Sequence, residues 1–278
     1  MSYARIISLT FLAMIAFAGN SLLCRQALKH TAIDPASFTA IRLISGALVL
    51  WLLVRLKQTA AAGRGNWPSA FALFVYAAGF SFAYVSLPAA SGALLLFGAV
   101  QATMIGHGIW AGERLRLLQT FGVILAFGGL VGLLMPGLSA PPLLGALLMI
   151  GAGIAWGIYS LRGKAAGDPM RVTAGNFIRA VPIAVFLSLL MLDFASLDVA
   201  GFNYAVASGA LASGLGYAIW YTVLPALKNT SAATVQLSVP VIAALGGIVF
   251  LGEPITLRLL MSSVAILGGI GLVIAQKR

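Results

Sequence analysis

The chain has 278 residues, of which 61% are apolar and 8% are charged. Soluble proteins carry about a quarter charged residues, so this composition excludes an ordinary water-soluble domain and predicts an integral membrane protein. The formal net charge of +11 would suggest a nucleic-acid or other acidic partner in a soluble protein, but here the membrane topology accounts for it and no nucleic-acid partner is expected.

The apolar residues form ten blocks of about 20 residues, the length at which a helix crosses about 30 Å of hydrocarbon. A transmembrane β-strand would need only about 10 alternating residues, so the blocks predict helices and an all-α fold. In chain order the blocks cover approximately residues 5–28, 35–56, 68–87, 91–112, 115–134, 142–162, 171–192, 201–224, 231–250 and 255–275.

The basic residues in the loops and at the helix ends are concentrated on one side of the membrane. If the amino terminus is cytoplasmic, twelve of the 17 basic residues lie on the cytoplasmic side and three on the other side. The twelve are Arg5, Arg55, Lys57, Arg64, Arg114, Arg116, Arg162, Lys164, Arg171, Lys228, Lys277 and Arg278, and the three are Arg25, Lys29 and Arg258. The positive-inside rule then predicts that both termini are cytoplasmic, in a multi-pass protein of the cell inner membrane.

The second half of the chain repeats the first half. The matching stretches are GFSFAYVSLPAAS (79–91) and GYAIWYTVLPAL (216–227), FTAIRL (38–43) and GNFIRA (175–180), and GERL (112–115) and GEPI (252–255). Each unit has five predicted helices, an odd number, so the second unit must start from the opposite side of the membrane. We therefore predict two inverted repeats, residues 1–137 and 138–278, in one membrane domain. Inverted repeats are typical of secondary transporters, whose substrate site lies between the repeats.

The amino-terminal segment also resembles a secretory signal, because Arg5 precedes a short apolar run that ends in Ala16-Phe17-Ala18. However, IAFAGNS (15–21) has its counterpart IAWGIYS at an internal position (154–160). We therefore expect the first segment to be a transmembrane helix.

Two other classes of function find little support in the sequence. The single cysteine, Cys24, excludes an intramolecular disulfide and a thiolate metal site. His30 and His107 lie in different segments without a carboxylate or cysteine nearby in sequence, so no catalytic residue, metal site or cofactor is predicted and the chain is not expected to be an enzyme. A duplication that only built a larger structural bundle remains an alternative.

Polar and aromatic residues inside the helices are the candidate substrate contacts, because polar groups in hydrocarbon tend to face a cavity or a partner helix. Phe17 with Asn20, and Trp156 with Tyr159, occupy matching places in the two halves and share one helix face in each. Ring faces can bury apolar groups and attract an ammonium, whereas the alternative is ordinary packing or an interfacial aromatic belt. The predicted substrate-binding residues are Phe17, Asn20, Phe80, Tyr84, Gln101, Trp156, Tyr159, Tyr217, Tyr221 and Gln236.

Four further residues are candidates for gating or for helix kinks. Pro240 is expected in the middle of the ninth helix, where it frees the carbonyl of Gln236, and Pro182 is expected to do the same to the residue before Arg179. A plain packing kink is the alternative. Arg42 and Arg179 lie within predicted helices without an acidic neighbour, so they either orient the bundle ends or attract an anionic group during entry and exit.

The six acidic residues all fall in predicted loops or at helix ends, so no carboxylate is expected inside the membrane and none to relay protons. Small-residue motifs predict close helix packing. They are Gly153-x-x-x-Gly157, Gly108-x-x-x-Gly112, Gly128-x-x-x-Gly132 and LGGIGL (267–272).

These features together resemble the drug/metabolite transporter superfamily, specifically its EamA-type members. The resemblance covers essentially the whole chain and rests on the two five-helix halves, the aromatic residues of the first and sixth helices, the Tyr-x-x-Leu-Pro-Ala ends of the third and eighth (84–89 and 221–226), and the Gly-Glu joints (112–113 and 252–253). It implies that helices one to four and six to nine surround a cavity that the fifth and tenth support.

Among EamA-type members the chain looks most like the YddG-type exporters of aromatic and other amino acids. The resemblance thus implies export of small metabolites by alternating access, by facilitated diffusion or proton exchange, in a monomer or weak dimer whose partners are substrate and lipid. Transport of a nucleoside, organophosphate or drug-like compound is the first alternative. A membrane scaffold or receptor that transports nothing is the second.

Overall fold

The computed structural model describes residues 2–57, 63–112, 114–137, 140–163, 167–227, 232 and 235–275. Within these ranges all regular secondary structure is helical, as the composition predicts. The first seven helices are α1 (Tyr3–His30), α2 (Pro35–Lys57), α3 (Trp67–Tyr84), α4 (Ala89–Trp110), α5 (Leu117–Leu134), α6 (Leu143–Gly163) and α7 (Pro169–Leu190). After a 3₁₀ turn at Leu192–Phe194 follow α8 (199–223), a second 3₁₀ turn at Leu224–Ala226, α9 (Ser238–Leu251) and α10 (Leu257–Ala275).

Helix α8 is continuous but changes its hydrogen-bonding pattern twice. It is α-helical over Val199–Ala207, π-helical over Ser208–Leu215 and α-helical again over Gly216–Val223. The π-helical segment consists mostly of small residues, in the sequence SGALASGL. π-helical segments are rare and are frequent at functional sites.

Seven of the described helices are long and apolar enough to cross a membrane, namely α1, α2, α4, α5, α6, α7 and α10. The remaining three have 18 residues (α3), short α-helical parts of nine and eight residues (α8) and 14 residues (α9). Large apolar side chains also cover the outer surface, among them Leu117, Phe127 and Phe250. An apolar surface of this extent is compatible with lipid and not with water. The chain is therefore a membrane protein.

The helices pack in a pattern that relates the two halves of the chain. Helix α2 packs against α7, and α5 packs against α10. Helix α6 packs against α3 and α4, while α1 packs against α8 and α9. The α5–α10 pair contacts the rest of the bundle mainly through α4, so the other helices surround the centre of the molecule.

Acidic and amide side chains begin several of the helices. Asp34 Oδ1 accepts hydrogen bonds from the N–H groups of Ala36 and Ser37 at the start of α2. Asp168 and Asp198 accept from the first turns of α7 and α8 in the same way. A side-chain oxygen at this position satisfies a free N–H group and a carboxylate also complements the helix dipole. These three acidic residues thus lie at helix ends, as expected, whereas Glu113 lies outside the described residues.

The cap of α3 gives a testable consequence. Asn66 Oδ1 accepts from Ser69 N at 2.9 Å, and Pro68 follows in the first turn. We expect Asn66→Ala to lower the free energy of unfolding by about 1 kcal/mol, because a first-turn N–H group loses its partner. Asn66→Ser is the matched control, since serine caps equally well and should keep the wild-type melting temperature of the purified protein. Equal melting temperatures for the alanine and serine variants would contradict the role of Asn66 as the cap of α3.

The two helix prolines differ from one another. Pro182 lies inside α7, as expected. Pro240 lies in the first turn of α9, which begins at Ser238 after Leu237, a turn residue that separates it from the helical residues Val235 and Gln236. Proline has no N–H group to donate to the carbonyl of Gln236, four residues earlier, so the role of Pro240 as a helix kink stays a prediction.

Candidate functional site

Ten aromatic side chains meet at the centre of the bundle and form what we call the aromatic cluster. Its members come from α1, α3, α6, α7 and α8, so both halves of the chain contribute. They are Phe17, Tyr76, Phe80, Tyr84, Trp156, Tyr159, Phe177, Tyr217, Trp220 and Tyr221. Seven of these are sequence-predicted site residues, and the ring contacts join all seven.

Tyr76 and Tyr217 hold the cluster together. The Tyr76 ring centre lies 4.6 Å from that of Trp156 and 5.5 Å from that of Phe80. The Tyr217 ring lies 5.5 Å from Trp156, in a stacked arrangement, and 5.6 Å from Phe17. Pairs at these distances contribute about 0.5–1.5 kcal/mol each beyond the burial of their area. The alignment of the two halves of the chain does not identify Tyr76 as a candidate, because this residue lies outside the matched stretches of the repeat.

The two ends of the aromatic cluster differ in exposure. Tyr84 and Phe80 are fully buried, at 0% and 1% exposure. Phe17, Trp156 and Tyr221 are only partly buried. The cluster is thus closed at the Tyr84 end and more accessible at the Tyr221 end.

Arg42 of α2 is the charged residue of the cluster and is 2% exposed. Its Nη2 donates to the Tyr76 hydroxyl at 3.0 Å, and its guanidinium carbon lies 4.8 Å from the Phe80 ring centre and 5.3 Å from that of Tyr76. Asn20 Nδ2 donates to the same hydroxyl at 3.4 Å, and Asn20 Oδ1 accepts from Ser208 in the π-helical segment at 2.6 Å. Ring faces attract a guanidinium, which offsets part of the cost of burying it.

A second group of polar side chains lies at the Tyr221 end. Thr173 Oγ1 donates to the Tyr221 hydroxyl at 3.1 Å and accepts from the Tyr159 hydroxyl at 3.4 Å. Asn176 Nδ2 donates to the Tyr159 hydroxyl at 3.4 Å. These bonds connect α6, α7 and α8, so hydroxyl and amide groups are available beside the more accessible rings.

Arg179 does not reach the aromatic cluster, although it matches Arg42 in the repeat. Its Nη1 donates to the carbonyls of Arg64, at 2.6 Å, and Gly175, at 2.9 Å. The neighbouring Asn176 Oδ1 accepts from Asn66 N at 2.9 Å. Arg179 therefore joins the segment before α3 to α7 through these two hydrogen bonds.

Two other predicted contacts are also separate from the cluster. Gln101 is buried in α4, and Gln236 is partly buried just before α9. Neither takes part in the ring contacts or hydrogen bonds described above. Pro182 is exposed on α7 and Pro240 is buried in the first turn of α9.

A buried ion pair closes the Tyr84 end of the bundle, and sequence reasoning missed it. Arg25 Nε lies 3.1 Å from Glu253 Oε1, and both residues are 7% exposed. Arg25 Nη1 also donates to the carbonyls of Tyr84 and Val85, while Glu253 Oε2 accepts from Ala89 N at 2.7 Å. We call this the closing ion pair, because it joins α1, the α3–α4 connection and the α9–α10 connection.

A cavity of about 200 Å³ lies beside the closing ion pair. Its lining residues come from the connections that precede α4, α6 and α10 and from helices α4, α5, α9 and α10, and they include Glu253. In the parts of the chain that the structure describes, no three His, Cys, Asp or Glu side chains are grouped as a metal site would require. The chemistry of the centre is thus that of binding through rings, hydroxyls, amides and one guanidinium.

The chain is similar to known proteins along its whole length. An uncharacterised protein of Pseudomonas aeruginosa is 58% identical over 274 residues, which cover 98% of this chain and 96% of that protein. The uncharacterised transporter YoaV of Bacillus subtilis is 22% identical over 253 residues, 86% of each chain. A crystal structure with 18% identity superposes with a TM-score of 0.68 over 98% of this chain and 96% of the other, which shows the same fold.

A relative with a named transport function matches about half of the chain. The threonine/homoserine exporter RhtA of Escherichia coli is 34% identical over 139 residues, 48% of this chain and 47% of RhtA. The model of the EamA-like transporter family matches residues 4–135 and again residues 143–275. The chain therefore belongs to the EamA-like transporter family.

Proposed function

We propose that this protein is a secondary transporter that exports amino acids, aromatic ones included, across the cytoplasmic membrane by alternating access. The observation that carries the proposal is the aromatic cluster, which α1 and α3 of the first half build together with α6, α7 and α8 of the second half. A site made from both halves changes its access when the halves rock against each other.

The helix packing supports ten spans in two inverted repeats, residues 1–137 and 138–278. Exchanging the halves turns the α1 contacts with α8 and α9 into the α6 contacts with α3 and α4, and leaves the α2–α7 and α5–α10 pairs unchanged. A two-fold axis in the membrane plane produces this exchange. The double match of the family model supports the same division.

The proposed orientation has both termini in the cytoplasm of the inner membrane, on the basis of the positive-inside count. The closing ion pair then lies on the outer side and the Tyr221 end on the cytoplasmic side. The rings are fully buried at the proposed outer end and partly exposed toward the proposed cytoplasmic end, which supports a conformation that admits substrate from the cytoplasm. Substrate entry from this side is what an exporter requires.

The similarity to a threonine/homoserine exporter supports an amino-acid substrate. The composition of the site extends this proposal to aromatic amino acids. Its rings offer apolar faces for a side chain and an electron-rich surface for an ammonium, and its hydroxyls and amides offer hydrogen bonds.

Counterflow in liposomes tests this function. Purified protein is reconstituted with unlabelled phenylalanine or threonine inside, and uptake of the labelled amino acid is followed against empty liposomes. We expect uptake that unlabelled amino acids inhibit. Uptake of nucleosides or phosphorylated compounds alone would replace the amino-acid proposal with a carrier of those compounds, and no uptake of any class would favour a scaffold.

Trp156 is the variant that connects transport to the aromatic cluster. It contacts Tyr76, Tyr159 and Tyr217, so Trp156→Ala removes the central ring and should lower the initial counterflow rate for phenylalanine about tenfold or more. Trp67→Ala is the matched control, because this ring is 58% exposed at the start of α3 and should leave the rate within about twofold of wild type. Equal rates for the two variants would contradict a substrate site at the cluster.

A further inference from the structure

The guanidinium of Arg42 has hydrogen-bonding capacity that the described residues do not use. Only Nη2 has a partner, the Tyr76 hydroxyl, while Nε and Nη1 have no hydrogen-bond partner among the described residues. The residue is nevertheless 2% exposed. A buried donor without a partner raises the free energy of the folded state, and it does so more strongly when the group is charged. Two such donors on one guanidinium therefore favour the binding of an acceptor.

The groups next to Arg42 supply further donors. The Tyr76 oxygen accepts from both Arg42 and Asn20, so the hydroxyl hydrogen of Tyr76 is left to donate. The amide oxygen of Asn20 accepts from the Ser208 hydroxyl, and the free hydrogen-bonding groups of the Arg42 and Tyr76 side chains are all donors. The unused capacity around the guanidinium is therefore N–H and O–H, which is the composition of an anion-binding site.

The described carboxylates of the protein are engaged elsewhere. Glu253 pairs with Arg25, so the charges of those two residues compensate each other. The others cap helices or lie exposed in a connection, and they are Asp34, Asp168, Asp193 and Asp198. Arg42 thus contributes one buried positive charge without a counter-charge in contact. A single positive charge with free donors on Nε, on Nη1 and on the Tyr76 hydroxyl matches a carboxylate, which is a monoanion with four lone-pair positions.

The position of Arg42 also suits a carboxylate that carries an ammonium close by. Arg42 lies against the Tyr76 ring, whose centre is 4.6 Å from that of Trp156, which in turn stacks on Tyr217. The rings of Tyr76, Trp156 and Tyr217 therefore form a continuous row from Arg42 toward the more accessible end of the cluster. An α-amino carboxylate can place its carboxylate on Arg42 and its ammonium and side chain against these rings.

We propose that Arg42 binds the carboxylate of the transported molecule and makes this carrier selective for amino acids over the corresponding amines and amides. This inference rests on the proposed transport function and adds to it the residue that selects the anionic group. Bidentate binding of a carboxylate is a property of arginine that lysine reproduces only as a point charge, and glutamine does not reproduce it.

The experiment compares wild type, Arg42→Gln and Arg42→Lys in counterflow with labelled L-phenylalanine. Unlabelled L-phenylalanine, L-phenylalaninamide and 3-phenylpropionate serve as competitors. In wild type we expect the amide to compete at least about tenfold less well than the amino acid, and 3-phenylpropionate to compete although it lacks the ammonium. Arg42→Gln should lower the preference for the acid over the amide about tenfold, and Arg42→Lys should retain part of it.

The control variant is Arg179→Gln, which removes the repeat-related arginine that contacts backbone carbonyls. It should keep the wild-type ratio of acid to amide competition whatever its effect on stability. An unchanged ratio in Arg42→Gln, with phenylalanine still transported, would overturn the role of Arg42 and leave amino-acid transport intact.

The wild-type data decide the matter even if Arg42→Gln does not fold. Equal competition by acid and amide in wild type would overturn carboxylate selection by this site. Transport restricted to compounds without a carboxylate, or no transport of the panel, would overturn both this inference and the proposed amino-acid function.

Discussion

Glu253→Gln is expected to lower the free energy of unfolding by about 3–5 kcal/mol, because it leaves the charge of Arg25 buried without compensation. The carboxylate contacts Arg25 Nε at 3.1 Å and Ala89 N at 2.7 Å, and both charged residues are 7% exposed. Such a loss is far larger than that of a surface ion pair, which contributes about 0–1 kcal/mol. The measurement is the melting temperature of the purified protein, followed by size-exclusion chromatography after heating.

A double-mutant cycle separates the ion pair from other effects of these substitutions. Arg25→Met should be destabilising for the converse reason, since it leaves the Glu253 carboxylate buried. The double variant removes both charges and should lose less stability than the two single variants added together. Strictly additive losses would contradict a direct coupling between Arg25 and Glu253.

The closing ion pair has a consequence for transport as well. It joins α1 to the connections before α4 and α10, so the Tyr84 end of the bundle cannot widen while these contacts persist. Under the proposed mechanism this end opens once in each cycle. A variant that weakens the pair destabilises the form in which the Tyr84 end is closed. It should therefore increase the population of the outward-open form.

The sequence predicts most of the aromatic cluster because the repeat aligns the relevant positions. Phe17 and Trp156 match across the halves, and the structure brings both rings against Tyr217. Tyr76 was missed because no motif marks it. Its role depends on the rotation of α3, which places the ring between Trp156 and Arg42.

Residue pairs far apart in sequence were beyond prediction. Arg25 and Glu253 are 228 positions apart, and the positive-inside rule treats Arg25 only as a basic residue near a helix end. Arg42 and Arg179 occupy equivalent positions in the repeat, yet one is buried against rings and the other binds backbone carbonyls. An alignment of halves gives equivalent backbone positions, whereas local contacts determine what each side chain does.

The glycine motifs also show that a sequence motif alone does not identify which residues are in contact. A methyl group on Gly153 would lie 2.6 Å from Ala99 Cβ of α4, and one on Gly157 would lie 2.7 Å from Thr103 Cβ, so this motif is a close contact as predicted. Gly128 has no neighbour within 4 Å of the same position, so its motif does not form the contact. Apolar residues all around a lipid-facing helix conceal which face meets a partner.

The close contacts of α5 lie instead at Gly122 and Gly129. A Cβ on Gly122 would lie 2.5 Å from the carbonyl oxygen of Gly269 and 3.1 Å from Leu272 Cβ, and a Cβ on Gly269 would in turn meet the carbonyl of Gly122. Each obstacle includes backbone, which cannot rotate away as a side chain can. We expect Gly122→Leu to push α5 and α10 apart and to lower the free energy of unfolding by about 3 kcal/mol.

Gly128→Leu is the matched control on the same helix. Gly128 is exposed, and a Leu side chain there extends along the apolar groove between α5 and α10. Leucine is also a better helix former than glycine by about 0.8–1 kcal/mol, so this variant should melt at or above the wild-type temperature. Since the two substitutions add the same side chain to the same helix, a lower melting temperature for Gly122→Leu alone isolates the backbone contact with Gly269. Equal melting temperatures would show that the packing of α5 against α10 does not depend on the contact at Gly122. They would also contradict the expectation that the α5–α10 pair supports the helices around the cavity.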